Sequence, residues 1–228
     1  MPTLTSKDGV SILTFDRPPL NAFDYETLQE TVEALEALAA APPASGVVIT
    51  GANGIFSAGV DVKALPTYDT GKRREVGQLI TAVTAHLTAI PTPVVAAVNG
   101  HAIGAGFIVI LCCDYRIVVD DPKIKLSLPE IAAGLPFPNG PRAVVHHELP
   151  SPLRRRLTLM GDAISPPEMA AFNLVDDLAA PDDLMADAIA ASKKLSGHAG
   201  FTVIKQQIRG PLAKATKDGM ENADPYLP

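Results

Sequence analysis

The sequence predicts an α/β fold whose strands run largely parallel. Three observations carry that expectation. Short apolar runs of strand composition alternate with longer segments whose apolar residues recur at helical spacing. A chain of 228 residues, 47% of them hydrophobic, is long enough for one sizeable core and short for two independent domains. Glycine-containing junctions of small residues follow two of the strand-like runs.

In order along the chain, "VSILTFD" (10–16) has strand composition, and "DYETLQETVEALEALAAA" (24–41) sets Leu28, Val32, Leu35 and Ala39 on one helical stripe beneath an acidic face. "SGVVITG" (45–51) reads as the second strand. From Arg74 to Ile90, the residues Val76, Leu79, Ile80, Val83 and Leu87 form an apolar stripe closed by "PTP". "VVAAVNG" (94–100) is a third strand, a helix opens within "HAIGAGFIVILCC", and "DYRIVVD" (114–120) is a fourth strand. Beyond Pro150 the pattern is helical, with helices expected near 151–160, 165–172, 182–195 and 200–209. No repeat, linker or low-complexity segment interrupts it.

Lys plus Arg number 19 against 25 Asp plus Glu, and a net charge of −6 argues against a nucleic-acid-binding surface. Cys112 and Cys113 are adjacent in an apolar run with no third cysteine to pair with, as expected of buried, reduced thiols. "MPTLTSKDGVSILTF" has no long apolar stretch like that of a signal peptide, and nothing approaches the roughly 20 apolar residues of a membrane span. A cytoplasmic location and no membrane partner are the expectation.

The chemistry centres on "NGHAIGAG" (99–106), three glycines and two alanines between the third strand and a helix. Where a strand enters a helix through small residues, the first amide N–H groups lack intrahelical partners and lie open to a ligand. A phosphate cradle fits poorly, because Gly100, Gly104 and Gly106 do not space as G-x-G-x-x-G and no Lys-Ser/Thr follows. Two readings stay open: close packing of helix on sheet, and an oxyanion hole, which needs two convergent donors. A second donor is available in "GIFSAGVDVKAL" (54–65), another small-residue junction at the carboxyl end of a strand.

At these residues the sequence resembles the crotonase, or enoyl-CoA hydratase/isomerase, family. The resemblance runs through "RPPLNAF" (17–23), "FSAGVDVKAL" (56–65), "PTPVVAAVNGHAIGAGFIVILCCDYRIV" (91–118), "LSLPEIAAGL" (126–135) and "LTLMGDAISPPEMAAFNLVDDL" (157–178). It implies a crotonase-like β-β-α spiral over 1–180, a helical C-terminal region over 181–228 that is shorter than usual for the family, and a trimer or dimer of trimers. It also implies an acyl-CoA or enoyl-CoA substrate, with coenzyme A entering as part of the thioester and no tightly bound cofactor or metal.

Carried over by position, the family's oxyanion hole falls on the backbone N–H groups of Val60 and Ala105. Of the two glutamates of the hydratase pattern, one is replaced by Ile108 and the other is present as Glu130 in "LPEIAAG". Residues 105 and 108 share a helix face, so Ile108 is expected to face the same cavity as the Ala105 amide. Hydration uses both carboxylates, whereas moving a double bond from the 3 to the 2 position needs one base. The expectation is therefore a Δ3,Δ2-enoyl-CoA isomerase. Hydratase or other crotonase-type lyase or hydrolase chemistry is the alternative, and a non-catalytic acyl-CoA-binding protein a further one. The resemblance places Leu20, Ala22, Ala58 and Asp61 along the adenine and pantetheine path and Lys63 toward phosphate.

The remaining polar residues have plainer readings. His101 beside the junction is expected to be a hydrogen-bonded packing residue, His146 and His147 lack the i, i+4 spacing of a metal pair, and Asn139 is expected to shape a turn. The ending "ENADPYLP" (221–228), with its two prolines, is expected not to form a full closing helix, leaving the acyl pocket open or covered by a neighbouring subunit.

Overall fold

The computed structural model describes residues 2–227. Its main sheet has six strands in the order β1-β2-β3-β4-β6-β9, formed by Pro2–Lys7, Val10–Phe15, Val47–Gly51, Val94–Val98, Tyr115–Val119 and Asp177–Ala179. Only the β1–β2 hairpin is antiparallel; every other neighbour in this sheet is parallel, as crossover helices require. β3 and β4 are buried at every position, which is why both read as continuous apolar runs rather than alternating ones. A second sheet of three short strands joins β5 (Ala102–Ile103), β7 (Leu126–Ser127) and β8 (Ala163–Ile164).

The helices are α1 (Tyr25–Ala40), α2 (Thr70–Ala89), α3 (Ala105–Cys112), α4 (Glu130–Ala133), α5 (Asn139–Glu148), α6 (Ser151–Leu159), α7 (Pro166–Ala171), α8 (Leu184–Ser196) and α9 (Phe201–Glu221). Several begin where side chains satisfy the orphan amides of a first turn. Asp24 accepts from Thr27 N at 2.9 Å, Asp69 accepts from Lys72 N at 2.8 Å, and Ser165 with Glu168 forms a capping box.

α3 is buried along its whole length and is the spine of the molecule. Its C-terminal carbonyls are met by two arginines: Arg116 Nη2 donates to Leu111 O at 2.8 Å, and Arg209 donates to Cys112 O at 3.0 Å and Cys113 O at 3.1 Å. Cation donors there complement the negative end of the helix dipole and leave its N-terminus free for other work. Lys205 pairs with the buried Asp114 at 2.5 Å and Arg209 bridges to Glu148 at 3.4 Å, so α9 is fixed to the core through ions that lack much solvent. Both cysteines are free and buried, and burial pushes the Cys113 thiol up to about 12, well away from a reactive thiolate.

The C-terminus differs from the sequence reading. α9 does not stop near residue 209 but continues through Pro211 to Glu221, packed on α2 and α5. Leu212 and Thr216 explain the continuation, since both are fully buried beyond the proline and Thr216 shares a 2.8 Å hydroxyl hydrogen bond with Thr88 of α2. Tertiary packing here outweighs the local cost of proline. The segment 224–227 then folds back on this same chain, where Asp224 Oδ2 accepts from the Asn139 amide at 2.6 Å. No helix among the described residues is long and apolar enough to cross a membrane.

Candidate active site

Three backbone segments stack side by side just beyond the ends of β2, β3 and β4. Phe23 N donates to Gly59 O at 2.7 Å and Asp61 N to Phe23 O at 2.9 Å, clamping residue 60 between them. Ile103 N donates to Ser57 O at 2.9 Å, while Phe56 N and Ser57 N both donate to His101 O at 3.1 Å. Two side chains tighten the stack. The fully buried Ser57 hydroxyl donates to Asn21 O at 2.7 Å and accepts from Gly59 N at 3.0 Å. Asn21 Nδ2 bonds Ala52 O at 2.9 Å and Ile55 O at 2.8 Å. Sequence reasoning passed over Ser57 and Asn21; the only signal was a small polar residue inside each motif.

Two glycines are required by this stacking. Gly59 has φ +74°, and a Cβ there would lie 2.4 Å from Ile103 O and 3.1 Å from Ala105 N. Gly104, at φ +53°, turns the chain into α3 and would place a Cβ 3.1 Å from Glu130 Oε1. The bare backbone thus brings the Val60 and Ala105 junctions together and lets a carboxylate approach them. Among the described residues neither the Val60 nor the Ala105 amide donates to another group, and both residues line one cavity of about 880 Å³. The N-terminus of α3 adds its positive dipole end at Ala105.

Glu130 opens the four-residue helix α4 and lines the same cavity. Its Oε2 is buried and has no hydrogen-bond partner among the described residues, and burial pushes its pKa up to about 7. A carboxyl so placed can hold or release a proton near neutrality. Ile108, 1% exposed, lines the cavity on the face of α3 that it shares with Ala105. The rest of the wall is mainly apolar, including Val62, Leu65, Val76, Ile80, Leu135 and Phe137. Glu130 is the one carboxylate among the described lining residues.

The other singled-out residues divide. Ala58 lines the cavity, and its amide donates to Leu20 O at 3.0 Å, so Leu20 and Ala58 lie together at the rim with Leu20 47% exposed. Ala22 O accepts from Arg17 Nη1 at 3.3 Å, and Asp61 pairs with that guanidinium at 3.1 Å. Asp61 Oδ1 also accepts from the amide of Lys63 at 3.1 Å, which sets Lys63 on the exposed side of the turn, off the described cavity lining. In the basic cluster, Lys72 is held by Glu26 at 3.1 Å and lies over Tyr25 and Tyr68, while Arg73 Nε donates to Tyr68 O at 2.9 Å. His101 is exposed, its Nδ1 accepting from Lys125 N at 2.9 Å, and it lies off the cavity. Asn139 begins α5 rather than forming a free turn, with its Nδ2 donating to Gly219 O at 3.2 Å. His146 and His147 face Arg154 and Glu148, and no cluster of three metal-ligating side chains occurs among the described residues.

The family model for enoyl-CoA hydratase/isomerase matches residues 5–224. The chain belongs to that family. EchA17 of Mycobacterium tuberculosis, a probable enoyl-CoA hydratase, is 34% identical over 184 residues, covering 80% of this chain and 69% of the relative. Among solved structures, the enoyl-CoA hydratase EchA3 of Mycobacterium ulcerans matches with a TM-score of 0.86 at 22% identity over 96% of both chains. Human mitochondrial Δ3-Δ2-enoyl-CoA isomerase matches with a TM-score of 0.85 at 22% identity, over 96% of this chain and 90% of that one. The fold is the crotonase fold with a helical C-terminal region, and it is shared by relatives named for either reaction.

Proposed function

We propose that this family member is a Δ3,Δ2-enoyl-CoA isomerase. The backbone N–H groups of Val60 and Ala105 receive the thioester oxygen of a 3-enoyl-CoA, and Glu130 in its ionised form removes a proton from C2. The electron pair moves into a dienolate whose oxygen bears the charge, and each well-aimed donor stabilises it by about 3 kcal/mol. Glu130, now carrying the proton, returns it to C4 as the thioester carbonyl re-forms, leaving the double bond at C2. Protons and electrons balance within the substrate, so no redox cofactor takes part. Leu20, Ala22, Ala58 and Asp61 would line the path of adenine and pantetheine, with Lys63 toward phosphate.

The observation that carries this reading is that Glu130 stands alone, with the hydrocarbon of Ile108 facing the same cavity. Hydration would need a second polar group to activate and steer water across the double bond. The hydratase alternative rests on the names of relatives such as EchA17. The two part in one experiment, in which the protein is given a 2-enoyl-CoA in water and a 3-enoyl-CoA in D₂O. Fast double-bond migration with slow formation of 3-hydroxyacyl-CoA is expected. Rapid hydration refutes the isomerase assignment, and tight coenzyme A binding without either product points to a non-catalytic acyl-CoA binder.

A further inference from the structure

The C-terminal tail reaches the wall of the candidate active site. Leu227 lines the cavity that holds Glu130, and it also lines a second cavity of about 740 Å³ bounded by α2 and the end of α9. It is the one residue among the described linings that the two cavities share. Its side chain lies against Gly77 in α2, where a Cβ would come within 2.6 Å and 2.7 Å of the two Leu227 methyl carbons. A glycine inside a helix is unfavourable by about 1 kcal/mol relative to alanine. No left-handed backbone angle calls for one at this position, so the missing side chain acts as a socket for the leucine.

The tail is latched there through the buried side chain of Asp224. The Asp224 side chain is 7% exposed, accepting from Asn139 N at 2.6 Å and from Tyr226 N at 2.9 Å, with Arg142 3.9 Å away. The Arg142 guanidinium also lies 5.0 Å from the centre of the Tyr226 ring. A latch of this kind fixes the position of Leu227 three residues on.

We propose that Leu227 limits the acyl-chain length this protein accepts, forming a partition between the catalytic cavity and the second cavity. This inference rests on the acyl-CoA reading of the site and adds the residue that bounds the acyl group. Removing the leucine joins the two spaces and gives a longer hydrocarbon tail somewhere to go, where each further buried methylene strengthens binding several-fold.

The test uses saturated thioesters, which cannot isomerise or hydrate, so that binding is read apart from turnover. Butyryl-, octanoyl- and dodecanoyl-CoA are titrated calorimetrically into the wild type, Leu227→Ala and Asp224→Ala. Leu227→Ala should raise the dodecanoyl-to-butyryl affinity ratio by about tenfold or more over that of the wild type. Asp224→Ala should move the ratio in the same direction by freeing the tail. A Leu227→Ala ratio equal to that of the wild type overturns the partition. An unchanged ratio in Asp224→Ala alone overturns the latch. If no thioester of any length binds, the acyl-CoA reading itself fails and the partition falls with it.

Discussion

At the scale of single residues, Glu130 carries two opposed consequences of burial. Its carboxyl, with a reference value of 4.5, is pushed up to about 7 by desolvation, so near neutrality both its ionised and its protonated forms are populated. For isomerisation begun by the carboxylate, kcat/KM should rise with pH and level off with an apparent pKa near 7. A flat profile between pH 5 and 8 would remove Glu130 as the base. Glu130→Gln keeps the size of the side chain but cannot accept the proton, and isomerisation should fall about 10²-fold or more. Stability should move the other way. From about pH 4.5 to 7 the folded chain retains a proton that the unfolded chain has released, so stability declines as pH rises through that window. Glu130→Gln should therefore be more stable than the wild type above pH 7, on the order of 1–3 kcal/mol by denaturant melts, and should lose that advantage below about pH 4.5. Faster unfolding of the variant at pH 8 would mean that the side chain is structural.

At the scale of elements, the proposed donors belong to the backbone, and the expected mutational pattern follows from that. Val60→Ala leaves the N–H in place and should lower isomerase kcat/KM only a few-fold, whereas Ala105→Pro deletes the donor at the first residue of α3 and should cost 10²-fold or more. Proline is tolerated at a first helical position, so circular dichroism should show the proline variant folded. Equal losses in the two variants would point to side-chain packing. The long stripes of α1 and α2, the runs of β3, β4 and β6 and the two glycine junctions were legible because each declares itself by period or composition. β1 was not, because "PTLTSK" is an exposed edge strand with no buried face to impose a pattern. The two-residue strands β5, β7 and β8 are set by long-range pairing that no local window records. α2 begins at Thr70 because Asp69 caps it, ahead of the apolar stripe that marked its start in the sequence. Glu130 and Ile108 were located by resemblance alone; the uncommon burial of the carboxylate appears only once α4 is placed against Gly104.

At the scale of the whole molecule, the question is what the chain leaves uncovered. α9 turns Lys205, Arg209, Leu212 and Thr216 inward, yet Val203, Ile204 and Ile208 on the same helix are 58%, 56% and 68% exposed. Leu159 and Met160 at the end of α6 are each 64% exposed. Isolated exposed apolar side chains are ordinary, but neighbours at i and i+4 on one helix form a stripe that water solvates poorly and that a second chain can cover. The net charge of −6 is low enough for copies of the chain to meet without strong repulsion. Closed symmetry would then repeat the same contact around an axis, and we expect a trimer or a dimer of trimers. Sedimentation at micromolar concentration should give a species three or six times the 23.9 kDa chain mass. Ile204→Asp combined with Ile208→Asp should shift it toward monomer without unfolding it, since neither side chain is part of the core. The buried ion pairs of Lys205 and Arg209 hold α9 on its own subunit, so the separated chain should keep its helical content. Sedimentation of the wild type as monomer alone would refute the assembly, and an unchanged oligomer in the double variant would move the interface off α9.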